Sequence, residues 1–198
     1  MRWDRLCKLK TRGGLGFKKL HQFNIAMLGK QGWHLLTNLN SLVARLFKAR
    51  YYPKTSFLEA SLGSNLSYVW RSILVTQKAI SQGSRIRIGG GRETVIGQAT
   101  WLPDQDNVTS LLLDHLTNAT VDNLMVPNQC CWDFDVVADI FNHRDRELIL
   151  QIPLNSRIIQ DDWCWLLDSK GQYTVRSCYK MFENQPSPPN SSVWRQLW

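Results

Sequence analysis

A glycine cluster inside a cationic stretch constrains this chain more than any other feature: Lys8, Lys10 and Arg12 lead into Gly13-Gly14-Leu15-Gly16, and Lys18 and Lys19 follow. Glycine takes positive φ and lets backbone approach another surface closely, so the spacing predicts a tight turn feeding a helix that Asn24 caps. The surrounding cations leave two uses open for that turn. It is either a structural reversal or a place where backbone amides and fixed charge converge on phosphate. The glycines match no nucleotide fingerprint, since no Gly-Lys-Ser/Thr follows and no strand-turn-helix unit with a downstream acid surrounds them.

Charge is divided along the sequence. Residues 1–92 hold 17 Lys and Arg against two acids, Asp4 and Glu59, a net of +15, while residues 93–198 hold 7 against 14, a net of −7; together they give the +8 of the whole chain. A block of that positive density favours a polyanion, and nucleic acid is the commonest one inside cells, because each neutralised phosphate releases condensed counterions. No stretch approaches the roughly 20 apolar residues of a membrane span. The start Met1-Arg2-Trp3-Asp4 lacks the apolar core of a secretory signal. No membrane partner is expected, and the location expected is intracellular, nuclear or cytoplasmic, with the mitochondrion left open. Cys7, Cys130, Cys131, Cys164 and Cys178 are odd in number and scattered, which suits reduced thiols.

The periodicity predicts an α+β, mainly helical chain: a basic helical first half, then short helices with two β-hairpins. Ile25, Met27, Leu28, Trp33, Leu35 and Leu36 fit an amphipathic helix that breaks at Asn38-Leu39-Asn40. Ser41 caps a second helix, with Leu42, Val43, Leu46, Phe47 and Tyr51 on one face, Arg45 and Lys48 on the other, and Pro53 as its stop. A third runs from a Ser67 cap through Trp70 and Ile73 to Ile80, ending near Gly83. Arg85–Ile88 and Glu93–Ile96 alternate around Gly89-Gly90-Gly91 as a hairpin would, and turn geometry accounts for those glycines. Further helices are expected near Ser110–Leu116, Asp133–Asn142 and Asp145–Ile152, with a turn at Val121–Leu124. A second hairpin joins 162–167 to 172–175 through Asp168-Ser169-Lys170-Gly171, and Ser177 caps the helix after it. Residues 185–192, rich in Pro and Ser, read as a linker, and Val193–Trp198 as the opening of a helix continued elsewhere.

Catalytic constellations are absent from this pattern. Asp161-Asp162 is the only adjacent acidic pair on a strand candidate, whereas metal-ion polymerisation needs carboxylates holding two metals about 3.5–4 Å apart, with an aromatic two residues upstream and a third acid on a palm strand. The pair fits a solvated strand start. Asp133 and Asp135 suit a helix start, where they complement the dipole. Cys130-Cys131 lacks the spacer that lets two thiolates chelate one zinc, so no metal and no cofactor is expected. Trp33, Trp70 and Trp132 fall on apolar faces and are expected in the core. Trp3 and Trp101 flank basic or glycine-rich turns, where packing and base stacking both remain open.

The run from Trp3 to Trp33 closely resembles the segment beyond the polymerase fingers and palm of plant LINE-type (non-LTR) retrotransposon reverse transcriptases. The Arg-rich 85–96 stretch with Trp101-Leu102-Pro103, and Asp168-Ser-Lys-Gly-Gln-Tyr-Thr-Val-Arg-Ser177, are similar to later segments of the same family. An aromatic residue usual in the family before the Trp-Leu-Pro turn is missing at Gly97–Thr100. The resemblance implies a basic thumb-like and connecting region over 1–83, a hairpin and turn over 84–103, a small acidic α+β region over 104–184, and over 185–198 a linker into a zinc-binding region whose ligands would lie beyond residue 198. It implies a truncated, non-catalytic fragment that grips RNA or an RNA/DNA duplex by its backbone without reading sequence. Its other partners would be the remaining parts of the parent enzyme. The contact candidates are Lys8, Lys10, Arg12, Lys18, Lys19, Lys30, Arg45, Lys48 and Arg50. The alternative is an orphan structural or interaction fragment with no independent activity.

Overall fold

Two sets of residues pack separately in the computed structural model, which describes residues 3–8, 10–64, 67–97, 100–103, 118–127, 129–155 and 160–184. Unit 1 joins residues 1–80 to 173–198, and unit 2 is 81–172. The α+β, mainly helical class stands. The expected helix at Ser110–Leu116 and the segment 185–198 lie outside the described residues.

Unit 1 begins with a short helix, α1 (Trp3–Leu6), a 3-10 turn at Lys10–Arg12 and then the glycine reversal. The long helix α2 (Leu20–Thr37) follows, starting earlier than Asn24 predicts. Asn24 is inside it, because the end is fixed by tertiary structure: the backbone N–H of Lys19, the N-cap, donates to Tyr179 Oη at 3.0 Å, and Phe23 meets the Tyr179 ring edge-on. The buried stripe of α2 also differs from the bulky set expected. Ala26, Gly29, Gly32, Leu35 and Leu36 are buried while Met27 is exposed, so much of the packing face is made of small residues.

Two aromatic contacts use that stripe. Helix α8 (Val175–Asn184) runs antiparallel along α2, since Tyr173 stacks on Trp33 and bonds the Ala26 carbonyl while Tyr179 sits at Lys19 and Phe23. A Cβ at Gly32 would press on Ile80, Thr76 and Phe57, so this glycine admits the second layer. That layer centres on Trp70, fully buried between Tyr51 (4.9 Å, 10°) and Tyr52 (5.4 Å, 16°), with Phe57 edge-on. Burial also raises the pKa of the Tyr52 hydroxyl.

Ser41 caps α3 (Leu42–Tyr51) and Ser67 caps α4 (Tyr68–Leu74), each accepting from the N–H three residues on, as predicted. The inner face of α3 is Ala44, Phe47 and Tyr51. Leu42, Val43 and Leu46 are exposed, contrary to the single apolar face expected, because the cluster around Trp70 is filled from the other side of the helix. The third helix divides into α4 and α5 (Gln77–Gly83), with the Thr76 hydroxyl donating to the Ile73 carbonyl at the break.

In unit 2, β1 (Ser84–Arg87) pairs antiparallel with β2 (Asp162–Trp165), Ser84 opposite Trp165 and Arg87 opposite Asp162. Neither expected hairpin forms. The first fails because the glycine tip is used differently: the Gly89 and Gly91 amides both donate to Asp161 Oδ1 (2.8 and 2.9 Å), and the Thr94 hydroxyl donates to Oδ2 (2.7 Å). Val95 then bridges to Thr120 rather than back to β1. The second keeps its turn, with Gly171 N–H donating to the Asp168 carbonyl, yet residues 172–174 are not strand, and Thr174 rather than Ser177 caps α8 through the Ser177 N–H. Val121–Leu124 is a 3-10 turn, and α6 (Phe134–Ile140) and α7 (His143–Leu150) start at the Asp133 and Asn142 caps. The core gathers Ile88, Ile96, Trp101, Leu102, Val121, Leu124, Val137, Phe141 and Ile149.

Candidate nucleic-acid interface

Packing α8 onto α2 sharpens the division of charge. Unit 1 holds 17 Lys and Arg against the three acids Asp4, Glu59 and Glu183, a net of +14, and unit 2 holds 7 against 13, a net of −6. Lys8, Lys10, Lys18, Lys30, Arg45, Lys48 and Arg50 are all exposed in unit 1 and form no ion pair among the described residues. Lys19 is half-buried, with its backbone N–H held by Tyr179. Arg12 lies in the 3-10 turn, and its side chain is outside the described residues.

Dividing the sequence at residue 92 leaves two described cations of this unit on the acidic side. Arg176 and Lys180 are exposed one turn apart on α8, and they sit within the acidic half of the sequence. The signal that finds them is the alternation of Cys178, Tyr179 and Phe182 with Arg176 and Lys180, which makes α8 a one-sided helix whose apolar side needs a partner.

The glycine reversal is structural. Gly13 donates to the Lys10 carbonyl, Leu15 and Phe17 to Leu6, and Gly16 to Lys8, so these amides are occupied within the turn. Gly13 and Gly16 take φ of 75° and 70°, and a Cβ at Gly14 would overlap the Lys8 backbone. The amides of Gly13, Leu15, Gly16 and Phe17 are thus engaged inside the turn that carries the cations. Lys18 Nζ lies 4.5 Å from the Phe23 ring centre and 5.6 Å from that of Tyr179, a cation–π arrangement that steadies it at the α2 end. His21, next along, is held below its ordinary pKa by burial.

The two tryptophans left open separate cleanly. Trp101 is buried, its Nε1 donating to the Ile96 carbonyl and its ring stacked on Trp132, so it is core. Trp3 is 44% exposed and stacks on Phe17 with centroids 5.7 Å apart and planes 13° from parallel.

The acidic pairs have structural employment. Asp161 fills the Gly89–Gly91 cradle and Asp162 faces Arg87 at 3.9 Å across the sheet. Asp133 caps α6. Cys130 and Cys131 are exposed, whereas Cys178 is buried in unit 1. Among the described residues no group of three or more His, Cys, Asp or Glu is placed to hold a metal ion, and no helix is long and apolar enough to cross a membrane.

No family model matches the chain, and no solved structure matches it. Along its whole length it is 26% identical to Putative ribonuclease H protein At1g65750 of Arabidopsis thaliana, spanning 33% of that relative. Over 104 residues, 52% of this chain, it is 39% identical to the uncharacterized mitochondrial protein AtMg00310 of the same plant, and that match covers 68% of AtMg00310. At that identity and coverage, the chain belongs to the family of the uncharacterized mitochondrial protein AtMg00310.

Proposed function

We propose that this chain is a retroelement-derived fragment, from the region of a LINE-type reverse transcriptase that follows the polymerase core, and that unit 1 holds RNA or an RNA/DNA duplex by its phosphates. The observation that carries this reading is the +14 of unit 1 with its exposed cations unpaired by acids among the described residues. Point charges on long side chains follow a backbone and read no bases, so binding is indifferent to sequence. The full-length similarity to a relative named for ribonuclease H supports an origin in a longer polypeptide that handles nucleic acid. The fragment grips and performs no chemistry.

Fluorescence anisotropy of a labelled RNA/DNA duplex at rising salt tests it. Neutralising three to five phosphates gives a log–log slope of about −3 to −5. A slope near zero, or no affinity in dilute buffer, overturns the reading. Primer extension or strand cleavage by the purified chain with Mg²⁺ would overturn its non-catalytic part.

The outer face of α3 favours a second reading. Leu42 (81% exposed) and Leu46 (62%) lie one turn apart, opposite the buried Ala44, with Arg45 and Arg50 to either side. A short helix apolar on two sides suits an interaction fragment that docks onto the rest of its parent. Under that reading the isolated chain self-associates and melts without cooperativity; the nucleic-acid reading predicts a sharp transition.

A further inference from the structure

We propose that Trp3 and Phe17 form a stacking platform for an unpaired base, so that unit 1 takes a single-stranded segment of RNA or DNA; this rests on the nucleic-acid reading above and names part of its ligand.

The glycine reversal explains how the platform is built. Phe17 and Leu15 both donate to the Leu6 carbonyl, and Gly16 donates to that of Lys8, so residues 15–17 fold back along α1 and bring Phe17 against Trp3. The rings are near parallel, and Trp3 and Phe17 remain 44% and 48% exposed. A pair buried for stability would lose most of that surface, as Trp70 does at 0%. This one spends its contact on mutual alignment and leaves flat aromatic surface in water.

Charge selects the occupant. Residues 3–18 hold Arg5, Lys8, Lys10, Arg12 and Lys18 against Asp4 alone, and Arg5, Lys8 and Lys10 are exposed. A second copy of the chain would bring the same cations against them. A strand of nucleic acid offers both complements, a π face for the rings and phosphates at every nucleotide for the cations. Inside a duplex each base is covered above and below by its neighbours, so only an unpaired base can extend the Trp3–Phe17 stack.

Anisotropy titrations of the full chain with an oligouridylate of about 12 nucleotides and with a long RNA duplex, whose ends are a negligible fraction of sites, provide the test. Trp3→Leu keeps apolar bulk over Phe17 and removes the flat π face. It should weaken the oligouridylate about tenfold and leave the duplex within about twofold. Phe17→Leu should act in the same direction, and Trp3→Phe should retain most of the affinity. Equal losses on both ligands, or no loss on the single strand, overturn the platform while leaving the backbone reading in place. Self-association of the unsubstituted chain in sedimentation that Trp3→Leu abolishes would assign the face to a second copy and overturn it too. If the unsubstituted chain ignores both polyanions, the functional reading itself has failed.

Discussion

The Tyr173 hydroxyl donates to the Ala26 carbonyl at 2.7 Å, 147 positions away, and Gly29 leaves the space through which it arrives. A Cβ at Gly29 would overlap that oxygen. Gly29→Ala should therefore destabilise unit 1 by about 1–3 kcal/mol, outweighing the gain of roughly 1 kcal/mol in helix propensity. Tyr173→Phe should cost about 1 kcal/mol through the lost hydrogen bond. The pair together should cost less than the sum, because removing the hydroxyl clears the overlap; urea titration of the four proteins measures the coupling.

This contact also shows which parts of the fold can be read from sequence. The caps at Ser41 and Ser67 are local, each hydroxyl accepting from an N–H three residues on, and the pattern predicts both, whereas Asp133, read only as an acid suited to a helix start, caps α6 in the same way. The apolar stripe of α2 is not legible by counting bulky residues, because Gly29 and Gly32 form its packing face through the size of what they admit. Glycines inside a helical pattern are the signal, since they cost stability unless something packs against them. The hairpin at Gly89–Gly91 misleads for a related reason: its tip is claimed by a carboxylate some 70 positions downstream. The positive charge of unit 1 is plain in the sequence, while the membership of Arg176 and Lys180 in that unit follows only from α8 lying on α2.

Asp161 and Asp162 are neighbours with opposite consequences. Asp161 accepts from Gly89, Gly91 and Thr94, so Asp161→Ala strands three donors and should cost about 2–4 kcal/mol. Asp162 pairs with Arg87 at 3.9 Å with both side chains more than half exposed, and Asp162→Ala should change stability by less than about 0.5 kcal/mol. Hydrogen exchange at the Gly89 and Gly91 amides should accelerate in the first variant alone.

Cys178 is buried, and burial pushes its pKa up to about 11, partly opposed by the Tyr173 hydroxyl beside it. At pH 8 the folded chain should react with a disulfide reagent at the exposed Cys130 and Cys131, and at Cys178 only after unfolding, as peptide mass mapping would show. The stability linked to this thiol is fully present below 9.0, its ordinary value, and is lost as pH rises toward 11, because the unfolded thiol releases its proton first. Burial also raises Tyr173 and Tyr179, which adds to the alkaline loss. His21 works in the opposite direction: kept neutral by burial below its ordinary 6.5, it contributes stability above that pH and loses it as acid is added. Urea midpoints should therefore fall on both sides of a plateau between about pH 6.5 and 9.

Trp70 and Leu46 test whether α3 has one structural face and one spare. Trp70 is fully enclosed by Tyr51, Tyr52, Phe47 and Phe57, so Trp70→Ala removes the centre of the layer over α2 and should cost about 3–5 kcal/mol. Leu46 is 62% exposed and Leu42 81%, and replacing both with Gln should leave stability within about 0.5 kcal/mol. Their replacement should lower light scattering of the concentrated chain, because a contiguous apolar strip leaves the surface. Thermal melts and scattering on the same samples decide it: a loss of stability in the double Gln variant would mean that these leucines pack within unit 1 after all, whereas unchanged melting with reduced scattering marks the outer side of α3 as surface held for contact with something other than its own core.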